Sequence, residues 1–207
     1  MRAEREYRAM NPMQIRSLTN DGGGKMEVEG YATTFNQPYT LYSWDDCEVR
    51  EEIDEHAFDE CDMRDVIMQY DHQGHVFART KNGTLQLATD EHGLKITADL
   101  SGTEIGQQLY GEIKGGYTNQ MSFGFIVGLD EKTYTEDHET GKTTVLRRIK
   151  KVSKLYDVSA VSIPANDQTC ISARSLSDGL IAEVKAERLR AQKRARLALK
   201  IKMTEVN

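Results

Sequence analysis

The sequence predicts an α+β fold, a closed or nearly closed antiparallel β-sheet core flanked by helices. Three observations carry this. Short runs of strand-forming residues recur along the middle of the chain. One internal segment has helical spacing, with Ile105, Leu109 and Ile113 four apart. The C-terminal stretch from Ser177 to Lys202 is rich in Ala, Leu, Lys, Arg and Glu, which favours helix. Many short strands with one internal and one terminal helix give a sheet core with helices on its outside.

The elements follow in order. Residues 1–24 are polar and end in Asp21-Gly22-Gly23-Gly24, the composition of a flexible joint. Met26–Thr34 alternates and reads as a strand; Tyr39–Trp44 and Glu48–Ile53 follow. Glu55-His56-Ala57-Phe58 reads as a short helix or turn. Asp65–Tyr70 is an apolar run of strand length that delivers Asp71-His72 at its end. Asn82-Gly83 is a turn signal that introduces the strand Gly83–Leu87. Leu94–Leu100 alternates cleanly. The helix over Ser101–Lys114 has Ser101 or Thr103 as its N-cap and ends at Gly115-Gly116. Met121–Val127 is a strand, and Asp130–Thr143 is polar, a loop or hairpin tip. Thr144–Ile149 and Lys154–Ile163 are two further strands, the last stopped by Pro164. The terminal helix has an imperfect apolar stripe that Glu187 interrupts.

Composition narrows the class. The 207 residues suffice for one domain with tails and a sizeable core. With 38% hydrophobic and 29% charged residues, the chain reads as soluble and globular. No apolar run approaches the ~20 residues that span a bilayer, so no membrane partner is expected. The charged N-terminus has no apolar stretch behind it, so no signal peptide is expected. Cys47, Cys61 and Cys170 are odd in number and widely spaced, which suggests neither a disulfide framework nor a zinc site. The net charge is −6, but Glu183–Lys202 alone carries +6, eight Lys/Arg against two Glu, leaving −12 for the rest. That basic tail is either a solvated helix face or a segment with its own partner. A single basic helix is weak evidence for nucleic acid, which is not expected as a partner.

Three segments hold side chains with chemistry. Tyr70-Asp71-His72-Gln73 puts a histidine at a strand end, and histidine is the usual general base near neutrality. Taken alone it is more often structural. Gln120-Met121-Ser122-Phe123-Gly124-Phe125 places Ser122, Gly124 and Ile126 on one strand face and Met121, Phe123 and Phe125 on the other. A strand serine by itself is usually structural, and there is no GxSxG elbow. Asp157, in Leu155–Asn166, is a charge inside a strand and needs a partner if buried. Ser159 shares its face, so an outward-facing strand face is the competing reading. Together His72, Ser122 and Asp157 form a chemically complete set of base, nucleophile and orienting group.

Several segments, in order, resemble the prohead protease family of tailed phages. They are Gly30-Tyr31-Ala32 with Phe35-Asn36, Glu55-His56-Ala57-Phe58, Asp71-His72, Arg79-Thr80 with Gly83-Thr84-Leu85, Gly93-Leu94, Met121-Ser122-Phe123-Gly124-Phe125, and Asp157-Val158-Ser159 through Pro164-Ala165. They cover about residues 28 to 173, the last two being the most specific. The resemblance implies a fold like the herpesvirus assemblin proteases, a β-barrel ringed by helices. With the glycine run before it and the basic, helix-favouring composition after it, it divides the chain into a flexible segment 1–24, a protease domain 25–174 and a basic helical tail 175–207. It implies a serine endopeptidase with His72 as general base and Ser122 as nucleophile. The third member is histidine in assemblins and commonly acidic in the phage family; here it is Asp157. The backbone N–H groups of Ala165 and Asn166 are the implied oxyanion donors. The family often has an aromatic after Pro-Ala, whereas this chain has Asn166, and its GAF-like segment is His56-Ala57-Phe58 here.

The resemblance implies no metal and no organic cofactor. It implies the major capsid protein, the scaffold and the protease itself as substrates, in the host cytoplasm inside the assembling prohead. A homodimer or higher oligomer is an open expectation, because assemblins are activated by dimerisation. Two rival readings stand beside it. One is a non-catalytic scaffold or capsid-assembly protein with the same fold. The other is a metal-dependent hydrolase using His72 and His75, against which stand Gly74 between them and the lack of an HExxH helix.

Overall fold

The structure is a computed structural model. It describes residues 5–14, 16–17, 26–44, 47–137 and 139–162, together with 186, 190, 193 and 194. The strands, in chain order, are β1 (Glu6–Gln14), β2 (Arg16–Ser17), β3 (Glu27–Thr34), β4 (Tyr39–Trp44), β5 (Cys47–Ile53), β6 (Ile67–Tyr70), β7 (Gln73–Arg79), β8 (Leu85–Thr89), β9 (Gly93–Asp99), β10 (Gln120–Glu136) and β11 (Thr143–Val161). Helix α1 (Glu104–Lys114) lies between β9 and β10, and a short 3₁₀ turn covers Thr80–Asn82.

The expected helix-flanked barrel is not what forms. The fold is mostly β, in two sheets that do not close on themselves. The larger, seven-stranded sheet runs β1-β10-β11-β5-β4, with β6 paired to β11 and β7 to β6. The smaller runs β2-β3-β9-β8. The larger sheet is also mixed, because β11 pairs in parallel with β5 at one end and with β6 at the other. Strand periodicity reports which face of a strand is apolar, not which strand lies beside it, so closure was not legible. Among the described residues α1 is the one bounded α-helix, so no ring of helices surrounds the sheets. The expected terminal helix, 177–202, lies outside the described residues apart from Ala186, Arg190, Lys193 and Arg194, which are helical and exposed.

Two features of the long hairpin overturn local expectations. The expected loop or hairpin tip over Asp130–Thr143 is strand as far as Glu136, the outer part of β10, with the tip confined to the residues before Thr143, and the two expected strands after it are one continuous strand, β11. Polar side chains alternate there with the buried Val145, Arg147 and Ile149. Helix α1 forms where spacing placed it, with the Thr103 side chain accepting from the Gly106 N–H. Gly116, at φ 76°, turns the chain out of the helix.

One core joins the sheets. Val28, Leu85, Leu94, Ile96 and Ala98 from the smaller meet Met121, Phe123, Phe125, Leu155 and Val158 from the larger, with Leu109 and Ile113 of α1. Phe123 and Phe125 stack with centroids 4.5 Å apart. Fully burying each such side chain stabilises the fold by about 1.5–3 kcal/mol. The Ser122-bearing strand is thus fixed by its apolar face.

Charge is also buried. Glu51 is fully buried and accepts from Arg8 Nε at 2.5 Å, Arg147 at 2.8 Å and the Tyr39 hydroxyl at 2.5 Å. Glu6 and Asp130 complete the set against the two arginines. Burial works against the Glu51 carboxylate, but the guanidiniums of Arg8 and Arg147 outweigh it and hold it below its ordinary value. Burial likewise pushes the Tyr39 phenol well up, as does the Glu51 charge. This network ties β1 to β4, β5, β10 and β11.

A second carboxylate carries a pH signature. Burial pushes Asp54 up, but hydrogen bonds from Lys150 (2.5 Å), the His56 N–H (3.0 Å) and Arg148 (2.8 Å) outweigh it and bring it to about 2. Because the folded value lies below the ordinary 3.8, this contribution is fully present above pH 4. It is lost as pH falls from about 4 to about 2. Denaturant melts should therefore show Asp54→Asn and wild type converging over that window. A difference that stays constant from pH 6 to pH 2 would remove Asp54 from this role.

Candidate active site

Ser122 sits near the start of β10, opposite Ser159 of β11, and Gly124 lies opposite Asp157. Alternation puts Ser122, Gly124, Asp157 and Ser159 on one face of the hairpin, the face away from Phe123. The base arrives from another element. Strand β6 runs parallel to β11, with Ser159 beside Gln69 and Ala160 beside Tyr70. Tyr70 pairs with Gln73, so Asp71 and His72 are the two central residues of a tight β6–β7 hairpin. Both have positive φ, 48° and 58°, as a type I′ turn requires. Asp71 suits the first position of such a turn, but His72 stands where glycine is preferred, so the surroundings must hold it. The Asp71 N–H donates to Ala160 O at 3.0 Å, and its carboxylate accepts from the Ser162 N–H at 3.0 Å and Ser162 Oγ at 2.9 Å. The hairpin tip is pinned to the end of β11, and His72 is held over the polar face.

The three side chains meet there. His72 Nε2 lies 2.5 Å from Ser122 Oγ, and His72 Nδ1 lies 2.5 Å from Asp157 Oδ1. Asp157 is fully buried, Ser122 is 2% exposed, and His72 is 18% exposed. With Nδ1–H donated to the carboxylate, Nε2 is left as acceptor toward the Ser122 hydroxyl.

Three further side chains complete the site, and sequence reasoning gave none of them a role. Ser159 Oγ donates to Asp157 Oδ1 at 2.9 Å and lies 3.2 Å from His72 Nδ1. Its shared face with Asp157 was the available signal. The edge of the Tyr7 ring meets the His72 ring, centroids 4.5 Å apart. Arg5 donates to Asp157 Oδ2. Arg5 and Tyr7 come from the segment whose glycine run suggested a loose joint. β1 instead pairs with β10, Tyr7 opposite Gly124 and Arg8 opposite Phe123. Nothing local in the sequence marks that pairing.

Gly124 is the space that makes this possible. A Cβ there would lie 2.4 Å from Asp157 Oδ2, 2.8 Å from Tyr7 Cε1 and 3.0 Å from Arg5 Nε. Gly124→Ala should therefore displace the carboxylate or lift β1. We expect activity to fall at least about 100-fold, the scale on which ~1 Å misplacement acts, with a destabilisation of about 1–3 kcal/mol. Activity within twofold of wild type would show that the site tolerates the methyl group.

The other site expectations fare differently. Ala165 and Asn166 lie outside the described residues. His75 is exposed on β7 and does not join His72. Among the described residues no group of three or more His, Cys, Asp or Glu side chains could hold a metal. Cys47 is a free, buried thiol; Cys61 is free too, its thiol pushed up to about 11 by burial. Among the described residues no helix is long and apolar enough to cross a membrane.

A hydroxyl bonded to an imidazole that a buried carboxylate orients is the constellation with which serine hydrolases perform acyl transfer. The family described as caudovirus prohead serine protease matches residues 11–181, and the chain belongs to that family. No curated protein and no solved structure matches it.

Proposed function

We propose that the chain is a serine endopeptidase that cleaves capsid and scaffold proteins, and itself, during prohead maturation. The observation that carries this is the unbroken hydrogen-bonded series Ser122–His72–Asp157 on one polar face. Family membership supplies the substrate class.

Ser122 Oγ attacks the scissile carbonyl carbon while His72 Nε2 takes its proton. The resulting imidazolium lies against the Asp157 carboxylate, which fixes its tautomer and stabilises its charge without taking the proton. His72 then protonates the leaving amine as the acyl-enzyme forms. Water, deprotonated by the same nitrogen, attacks the ester and releases the acid. The tetrahedral oxyanion needs backbone N–H donors, for which Ala165 and Asn166 are the sequence-based candidates.

The test is an intact-mass time course of wild type beside Ser122→Ala, alone and then with the capsid protein co-expressed. Defined truncations in wild type and none in the variant support the reading. Unchanging masses in both conditions would favour a non-catalytic assembly protein.

A further inference from the structure

Asp157 is a fully buried carboxylate with its two oxygens divided between neighbours. Oδ1 accepts from His72 and Ser159; Oδ2 accepts from Arg5. A buried carboxylate is costly unless a cation compensates it. A neutral imidazole and a hydroxyl supply hydrogen bonds but no charge. Arg5 supplies the charge, and no other permanent cation among the described residues forms an ion pair with Asp157.

The guanidinium is built into place. It lies over the Tyr156 ring at 4.4 Å and over the Tyr7 ring at 5.1 Å, a cation between two π faces. The bare face of Gly124 leaves it room. β1, which Arg5 immediately precedes, is zipped to β10 and anchored through Glu6 and Arg8 to the buried Glu51–Arg147 cluster. Arg5 Nε is buried without a hydrogen-bond partner, so the contact with Asp157 is made by one nitrogen and not by a two-point fork. A single ammonium can supply the charge, but not the stacking on the two rings.

We propose that Arg5 is a positioning residue: by balancing the charge of the buried Asp157 it holds that carboxylate against His72, and it makes the N-terminal segment part of the catalytic apparatus. This rests on the peptidase reading above. An unbalanced buried carboxylate is costly and turns toward water, and then it no longer orients the imidazole. The Arg5 charge opposes that and keeps Oδ1 aimed at His72 Nδ1. The other groups facing the pair do not substitute for it. Tyr7 and Tyr156 offer ring faces, Lys154 lies over the Tyr156 ring at 4.9 Å and pairs with Asp62, and the Asp71 carboxylate is committed to Ser162.

The test uses full-length chain labelled with ¹⁵N-histidine, in wild type, Arg5→Gln and Arg5→Lys, with His72→Gln to assign the resonance. The low-field resonance of His72 Nδ1–H, bonded to Asp157, should be lost or displaced in Arg5→Gln and regained in part in Arg5→Lys. In parallel, the rate at which a fluorophosphonate probe labels Ser122 is followed. Arg5→Gln should lower it at least tenfold, with Arg5→Lys regaining part of the loss. A merely structural role would lower the rate without changing the Nδ1–H resonance. An identical His72 Nδ1–H resonance in wild type and Arg5→Gln, with circular dichroism showing both folded, would overturn the proposal while leaving the peptidase reading intact. A wild type that shows the resonance but is never labelled would overturn the peptidase reading, and the role assigned to Arg5 with it.

Discussion

Replacing Ser122 with alanine should lower kcat by about 10⁶-fold, because nothing else in the site can form the acyl-enzyme. His72→Ala should cost nearly as much, and the double variant little more than either alone. The reason is geometric: Ser122 Oγ has no other base, and His72 Nε2 has no other proton donor among the bonds that the site makes. Residues that act as one unit are not additive. Asp157→Asn should fall by about 10⁴-fold, since an amide cannot hold the same tautomer. Turnover of a capsid-derived peptide by mass spectrometry measures all four. Thermal melts guard against trivial unfolding, and Ser122→Ala should melt within a degree or two of wild type. A His72→Ala protein that kept a tenth of the activity would require another base.

The largest stability effect should come from Glu51. Its carboxylate accepts from Arg8, Arg147 and Tyr39 with no exposure to water. Glu51→Ala leaves two guanidiniums buried with Glu6 and Asp130 as their remaining acceptors. Breaking one partner out of a buried ionic cluster costs about 3–5 kcal/mol, near 10 °C in Tm for a chain of this size. The loss should reach the active site as well, because Arg8 anchors the strand that Arg5 precedes and that carries Tyr7. Urea melts and probe labelling of Ser122 would fall together. A cost below about 1 kcal/mol would mean that water enters the cluster and solvates the arginines.

Much of this was legible residue by residue. The periodicity that marked Met26–Thr34, Leu94–Leu100 and Ser101–Lys114 is a local property, and the observed β3, β9 and α1 lie on those segments. The three chemical side chains were legible for a different reason. Each alone is a weak signal; their complementary chemistry and their place in the ordered segments that resemble the family singled them out. What the sequence could not show is the contact itself, since 50 residues separate His72 from Ser122 in the chain.

The sequence by itself thus determined the strand-rich character, the helix α1 and the family, and it offered His72, Ser122 and Asp157 as candidates for the site. Tertiary structure alone decided the rest. It decided that the sheets stay open, since pairing partners are chosen by register and packing across the whole core and not by any strand's own pattern. It decided that Asp130–Glu136 extends as strand, because β11 offers it a ladder that a polar segment lacks when alone. It decided that Arg5 and Tyr7 belong to the site, because only the β1–β10 register and the hole at Gly124 bring them there. Local sequence fixes what a side chain can do. Which charges it must answer to is set by neighbours that are distant in the chain and touch it only when the core has formed.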